Sequence, residues 1–198
     1  MCCFRLPLLF HLLLCFYNMY NVFIKIAQLL SFFLVLTTLF LFILRLESDP
    51  RKDPLLLWLS GGPGCSSFYG LAYEVGPLAF GQKAFNGSLP ILISTPYSWT
   101  KFASILFLEQ PVNTGFSYAT TSAASECTDL QACDHVYEFL LKWFINHPDF
   151  ILNPLYVSGD SYSGITVPVI AQLISDGKCH LLLSYNRGLD HSYHPIIL

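Results

Sequence analysis

Apolar residues fall in blocks along this chain, and the spacing inside each block sets what it predicts. Leu55-Leu56-Leu57-Trp58-Leu59 is continuously apolar and of strand length. Successive strand side chains point to opposite faces, so such a run predicts a central strand covered on both sides. Ala103-Ser104-Ile105-Leu106-Phe107-Leu108 predicts a second buried strand, ended by Glu109-Gln110-Pro111, and Leu155-Tyr156-Val157 a third. Between the last two, Val136, Phe139, Leu140, Trp143 and Phe144 recur at helical spacing. Thr128 and Gln131 form a capping-box pattern at the head of that segment, and His147-Pro148 stops it. Val167, Val169, Ile170, Ala171, Leu173 and Ile174 continue as another helix. Residues 81–96 read as a loop. Strands alternating with helices imply parallel pairing, hence an α/β fold with a mostly parallel central sheet.

The front of the chain breaks this pattern. Over residues 1–46 the only charged side chains are Arg5, Lys25 and Arg45, and residues 26–44 carry none. About 20 apolar residues span a bilayer, so 26–44 has the length of an anchor. Residues 6–16, behind Arg5, resemble the early part of a secretory signal. One reading is membrane or secretory targeting, with membrane association through 26–44. The other makes residues 39–46 a core strand. Glu47 to Asp53 is polar, is interrupted by Pro50 and reads as a boundary. The expected division is an apolar segment at 1–46, the N-terminal part of an α/β domain at 47–177 and a divergent tail at 178–198.

Chemistry concentrates in two glycine-bearing turns. Gly159-Asp160-Ser161-Tyr162-Ser163-Gly164 follows the third strand and opens a helix. A serine on such an elbow is lifted off the sheet, with backbone N–H groups aimed at the same spot, which suits a nucleophile once a base is near. Gly159 and Gly164 are expected to permit the reversal and the close packing. Ser60-Gly61-Gly62-Pro63-Gly64-Cys65-Ser66-Ser67 follows the first buried strand. Its bare backbone is expected to present amides to a developing anion. The plain alternative for each is an ordinary turn. Glu74 lies in an apolar stretch and reads by itself as a solvated acid, and His135 as a structural or surface histidine.

Composition adds bounds. The chain is 54% hydrophobic and 12% charged, with the excess at the front. Net charge is −3 and the basic residues are scattered, which argues against nucleic acid as a partner. The seven cysteines show no C-x-x-C and no zinc spacing, so no metal and no cofactor is expected. In a secretory setting Cys65, Cys127, Cys133 and Cys179 are candidates for disulfides. Asn86-Gly87-Ser88 is a glycosylation sequon in a credible surface loop.

These motifs together resemble the serine carboxypeptidase-like proteins of the α/β-hydrolase fold. The resemblance runs from about 47 to about 174. It is carried by Asp53-Pro54 and the strand and glycine loop through Ser67, by Ser98-Trp99-Thr100, by Gln110-Pro111-Val112 with Gly115-Phe116-Ser117-Tyr118, and by the elbow. It implies Ser161 as acyl-enzyme nucleophile and the N–H groups of Gly62 and Tyr162 as the oxyanion hole. It implies Ser60, Gly61, Glu74 and Asp160 as the group that holds a substrate's terminal carboxylate. Two acids there tolerate a carboxylate only when protonated, which favours acidic pH. It implies a disulfide from Cys65 to a cysteine much later in the family chain. The expected substrate is a peptide C-terminus.

Ser60 stands where the carboxypeptidases usually have Asn, and Asp160 where they have Glu. The Gly-Asp-Ser-Tyr-Ser-Gly pattern resembles instead the plant branch that transfers acyl groups from glucose esters to alcohols. Asn113, usually glycine, and Glu109, often aspartate, are milder departures. In this fold the triad order is Ser, Asp, His, and after Ser161 the only candidates are Asp176, Asp190, His180, His191 and His194. None stands at a recognisable position. The chain is therefore expected to hold a partial α/β-hydrolase fold from a secretory-pathway enzyme, extracellular or vacuolar. The alternative is a non-catalytic, membrane-associated remnant.

Overall fold

The computed structural model describes residues 37–38, 41–44, 52–81, 91–176 and 196–197. In chain order these form β1 (Thr37–Thr38), β2 (Leu41–Leu44), β3 (Leu55–Leu59), a π-helical turn (Gly70–Glu74), β4 (Leu78–Phe80) and β5 (Leu92–Ser94). There follow β6 (Ser104–Leu108), β7 (Tyr118–Ala119), α1 (Asp129–Asn146), β8 (Leu155–Gly159), α2 (Ser163–Ser175) and β9 (Ile196–Ile197). The main sheet has the order β2-β6-β3-β8-β9. β6, β3, β8 and β9 run parallel, and β2 is antiparallel at one edge. Leu57 is opposite Leu106 on one side and Val157 on the other, so the three strands read from the sequence are the three inner strands.

All five side chains of β3 are buried, and so are all five of β6. Their alternation feeds two cores. Leu55, Leu57 and Leu59 meet Leu106, Leu108 and Val157 on the face covered by α1 and α2, through Val136, Leu140, Trp143, Val167 and Ile170. Leu56 and Trp58 meet Ile105 and Phe107 on the other face, under Leu71 and Val75, with Trp99 packed edge-on to Trp58 at 5.9 Å. The two-sided burial expected of a continuous apolar run is what the sheet shows.

The capping box forms at the head of α1. Gln131 N–H donates to Thr128 Oγ1 at 3.4 Å and Thr128 N–H donates to Gln131 Oε1 at 2.9 Å. At the other end His147 caps the helix, stacked on Trp143, with its Nδ1 2.8 Å from the Trp143 carbonyl oxygen.

Three expectations change. Of the two readings of the front, the span over residues 26–44 gives way to the strand expected within 39–46: Leu41–Leu44 pairs with Leu108, Phe107, Leu106 and Ile105 of β6. A charge-free apolar run serves a buried strand as well as a bilayer, and only pairing partners separate the two. No helix among the described residues is long and apolar enough to cross a membrane. Second, β2 places the sheet's edge upstream of residue 47. Third, Leu92–Ser94, read as loop, pairs antiparallel with Leu78–Phe80. Asn86, the sequon position, lies outside the described residues.

Ile170 is fully buried between α2 and the sheet. Ile170→Ala is expected to lower stability by about 2–5 kcal/mol, against about 1 kcal/mol for Thr128→Ala at the exposed cap. Urea denaturation of both variants checks the order.

Candidate active site

Parallel strands end together, so the carboxyl ends of β3, β6 and β8 bring three turns to one edge of the sheet. The turn after β8 is the elbow. Ser161 has φ +52°, in the left-handed region, and its side chain is exposed. A non-glycine residue held there costs about 1–2 kcal/mol, which the flanking strand and helix must offset. Ser163 N–H donates to the Asp160 carbonyl at 3.0 Å and Gly164 N–H to the Ser161 carbonyl at 3.1 Å, so the chain passes from elbow into α2.

Gly159 is required by proximity. A Cβ there would lie 2.2 Å from the Leu59 carbonyl oxygen and 2.7 Å from Ser163 Cβ. Ser163, which stands where a strict G-x-S-x-G motif has glycine, is buried and donates to the Leu59 carbonyl at 2.7 Å. Its hydroxyl turns the tight spot into a tie between α2 and β3. The close-packing role expected of Gly164 is not met, since a Cβ there would meet nothing within 4 Å.

The turn after β3 lies against the elbow. A Cβ on Gly61 would be 2.6 Å from the Tyr162 nitrogen, 2.8 Å from the Asp160 carbonyl oxygen and 2.9 Å from Ser161 Cβ. Gly62 and Gly64 have φ of +113° and +84°, conformations that favour glycine. The loop closes on itself through Cys65 N–H to the Gly61 carbonyl at 3.1 Å. Gly61 and Ser161 are thereby neighbours, with Gly62 next along the loop and Tyr162 on the same elbow.

The residues expected to hold a terminal carboxylate are brought together in part. Gly61 N–H donates to Asp160 Oδ1 at 3.1 Å. Glu74 lies close enough to Asp160 that its carboxyl is raised above the usual range, first by partial burial and then by the Asp160 charge. No hydrogen bond joins Glu74 to Asp160. Ser60 is buried with its Oγ unpartnered among the described residues, a polar atom left for something else to meet. The Tyr162 hydroxyl donates to Asp129 Oδ2 at 2.7 Å, tying the elbow to the head of α1.

A family model described as serine carboxypeptidase matches residues 36–182. The chain belongs to the serine carboxypeptidase family. Serine carboxypeptidase-like 16 of Arabidopsis thaliana is 56% identical over 141 residues, covering 71% of this chain and 32% of that protein. Serine carboxypeptidase-like 17 of the same organism is 57% identical over 140 residues with the same coverage. Among solved structures, a prohormone-processing carboxypeptidase from Saccharomyces cerevisiae, Kex1(delta)p, superposes with a TM-score of 0.59 at 26% identity, over 81% of this chain and 32% of that one. The chain thus spans about a third of the length of these relatives. The match begins upstream of Glu47, in keeping with β2 as part of the sheet.

Two residues noted only as departures from the family pattern have structural roles that the sequence did not show. Glu109, at the end of β6, is fully buried. Ser66 Oγ donates to its Oε1 at 2.6 Å and Ser67 N–H to its Oε2 at 3.3 Å. An acid closing a mostly apolar strand was the available signal. Asn113, where the family resemblance expects glycine, has φ +68° and is held by its Nδ2 to Ser125 Oγ at 2.7 Å. Asn is among the few side chains that accept this conformation. No disulfide forms among the described residues, so the pairing expected for Cys65 is not seen there. Burial pushes the Cys133 thiol up to about 11.

Gly61→Ala is expected to separate loop and elbow, at about 1–3 kcal/mol in stability, because the added methyl meets backbone rather than a flexible side chain. Denaturation of the variant checks this.

Burial pushes Glu109 up to about 7 from 4.5, against the lowering effect of the Ser66, Ser67 and Phe68 donors. A raised folded value means that the folded protein keeps a proton the unfolded chain releases. The stabilisation is full below 4.5 and is lost as pH rises through about 7. The expected loss is about 3 kcal/mol between those limits, measured by denaturation across pH, and Glu109→Gln should remove that slope.

Proposed function

We propose that Ser161 is the acyl-enzyme nucleophile of a serine-type carboxypeptidase, with the Gly62 and Tyr162 N–H groups as oxyanion donors. The observation that carries this is the exposed serine at φ +52° lying against Gly61 of the glycine loop, where no Cβ would fit. Ser161 Oγ adds to a substrate carbonyl, and the two N–H groups take up the charge that develops on oxygen. Each such donor supplies about 3–4 kcal/mol of transition-state stabilisation in comparable sites. The Ser161 proton needs a base oriented by an acid, and no described residue hydrogen-bonds to the Ser161 hydroxyl to fill that role. Ser60, Gly61, Glu74 and Asp160 would hold the terminal carboxylate of a peptide. The raised Glu74 favours that binding on the acidic side, where it carries a proton.

A second reading is acyl transfer from a glucose ester to an alcohol. One observation favours it: the short Asp160 side chain is engaged by Gly61 N–H and does not reach Glu74, so the carboxylate clamp is incomplete. Both readings share the acyl-enzyme and differ in what attacks it. A secretory-pathway location is supported by the sequon at Asn86 and the apolar residues at the front of the chain.

The test is a fluorophosphonate applied to the full-length protein. The expected outcome is an adduct on the Ser161 peptide that is missing in Ser161→Ala; a folded protein with Ser161 unmodified overturns the reading. Products then separate the branches, a released C-terminal residue from a peptide or a new ester formed on an added alcohol.

A further inference from the structure

Glu109 has no place in the mechanism just described, yet it is a fully buried carboxyl within the site's framework. Its donors come from one segment: Ser66 Oγ, Ser67 N–H and the Phe68 N–H. That segment is the descending limb of the glycine loop whose ascending limb carries Gly61 and Gly62. The same limb is tied a second time, since Ser67 Oγ donates to the Leu108 carbonyl at 2.5 Å and receives the Ser60 N–H at 3.4 Å. On its other side Glu109 is enclosed by the following turn. Gly115, at φ +53°, packs so closely that a Cβ would collide with the carboxyl, and the Glu109 carbonyl accepts the Ser117 hydroxyl at 2.6 Å. No charged side chain contributes to the environment of this carboxyl, only burial and the three donors.

An apolar residue would fill this space without desolvating a carboxyl. What the acid adds is a set of acceptor positions that match three donors of one loop. We propose that Glu109 is a positioning residue for the oxyanion loop: by holding Ser66, Ser67 and Phe68 it fixes the limb against which Gly61 and Gly62 are set, and so the direction of the Gly62 N–H. The inference rests on the reading of Gly62 as an oxyanion donor. Ionised, Glu109 accepts from all three donors at once. Protonated, one oxygen becomes a donor facing donors, and the loop loses part of its anchor. Loop order and global stability therefore respond oppositely to pH: the fold favours the protonated form, the loop the ionised one.

Amide hydrogen exchange of the full chain, read by mass spectrometry on peptides covering residues 60–68, tests this. After correction for intrinsic rates, loop exchange in the wild type should slow as pH rises through about 7. In Glu109→Gln that change should vanish, with exchange at pH 8 about tenfold faster than wild type, the loss of roughly one charge-assisted hydrogen bond. Peptides from β8 and α2 should keep their protection. Equal loop protection in variant and wild type, a wild-type loop indifferent to pH, or a parallel loss in every segment would each overturn the proposal. Should Glu109→Gln fail to fold, Ser66→Ala decides, because it removes one donor from a partly exposed position; unchanged loop exchange there overturns the proposal equally. Exchange is read without any substrate. An inert Ser161 would count against the nucleophile reading and leave the tie between Glu109 and the loop standing.

Discussion

The contact between the carboxyl ends of β3 and β8 is the constraint on which the rest depends. The two strands lie side by side in parallel register from Leu55 opposite Leu155 to Leu59 opposite Gly159. Parallel neighbours must leave the sheet at the same edge, so their two following turns compete for one volume. Here the conflict is resolved by removing side chains. Gly159 lets the Leu59 carbonyl approach, and Gly61 lets the Tyr162 nitrogen approach. Ser163 makes the same crowding useful, with its hydroxyl on the Leu59 carbonyl. The left-handed Ser161 is held between these contacts. Strain at a reactive residue persists only where its surroundings over-determine it, and two packed cores on either side of β3 supply that rigidity.

Electrostatics at this edge follow from the same burial. The carboxyls of Glu74 and Glu109 are both raised, but for different ends. Glu74 is exposed and feels Asp160, so its proton bears on what enters the site. Glu109 is sealed beneath the loop and feels no charged partner, so its proton bears on the frame. An acid environment protonates both, which suits a carboxylate ligand at Glu74 while it slackens the loop at Glu109. On the proposed reading, the two shifts set ligand capture against oxyanion geometry, with Glu109 raised to about 7 on the loop's side.

Much of this architecture was legible from local pattern. The runs at Leu55 and Ser104 could be read as central strands because every position except Ser104 is apolar, and the structure buries every position, Ser104 included. The capping box of Thr128 and Gln131 was legible because its partners are three residues apart. What was not legible lies across long separations. Leu41–Leu44 looks the same as a strand or as the end of a membrane span until β6 is known to pair with it. The β4–β5 hairpin hid for a related reason: Leu92–Ser94 is short, half exposed, and defined by its partner. Glu109 appeared only as the end of a strand, since its three donors lie more than forty residues earlier in the chain.

The same reasoning bears on how the two functional readings divide. Both need the elbow and the glycine loop, and these are the parts that close approach determines. They part at Asp160, where one methylene decides whether a side chain spans from the elbow to Glu74. Asp160 instead accepts from Gly61 N–H, and that bond serves the loop rather than a ligand. On the proposed reading, the change moves a carboxyl from substrate recognition toward the frame of the loop. A site so altered would keep an acyl-enzyme serine and relax the demand that the substrate end in a free carboxylate. That is the chemical difference between cutting a peptide at its terminus and passing an acyl group to another acceptor.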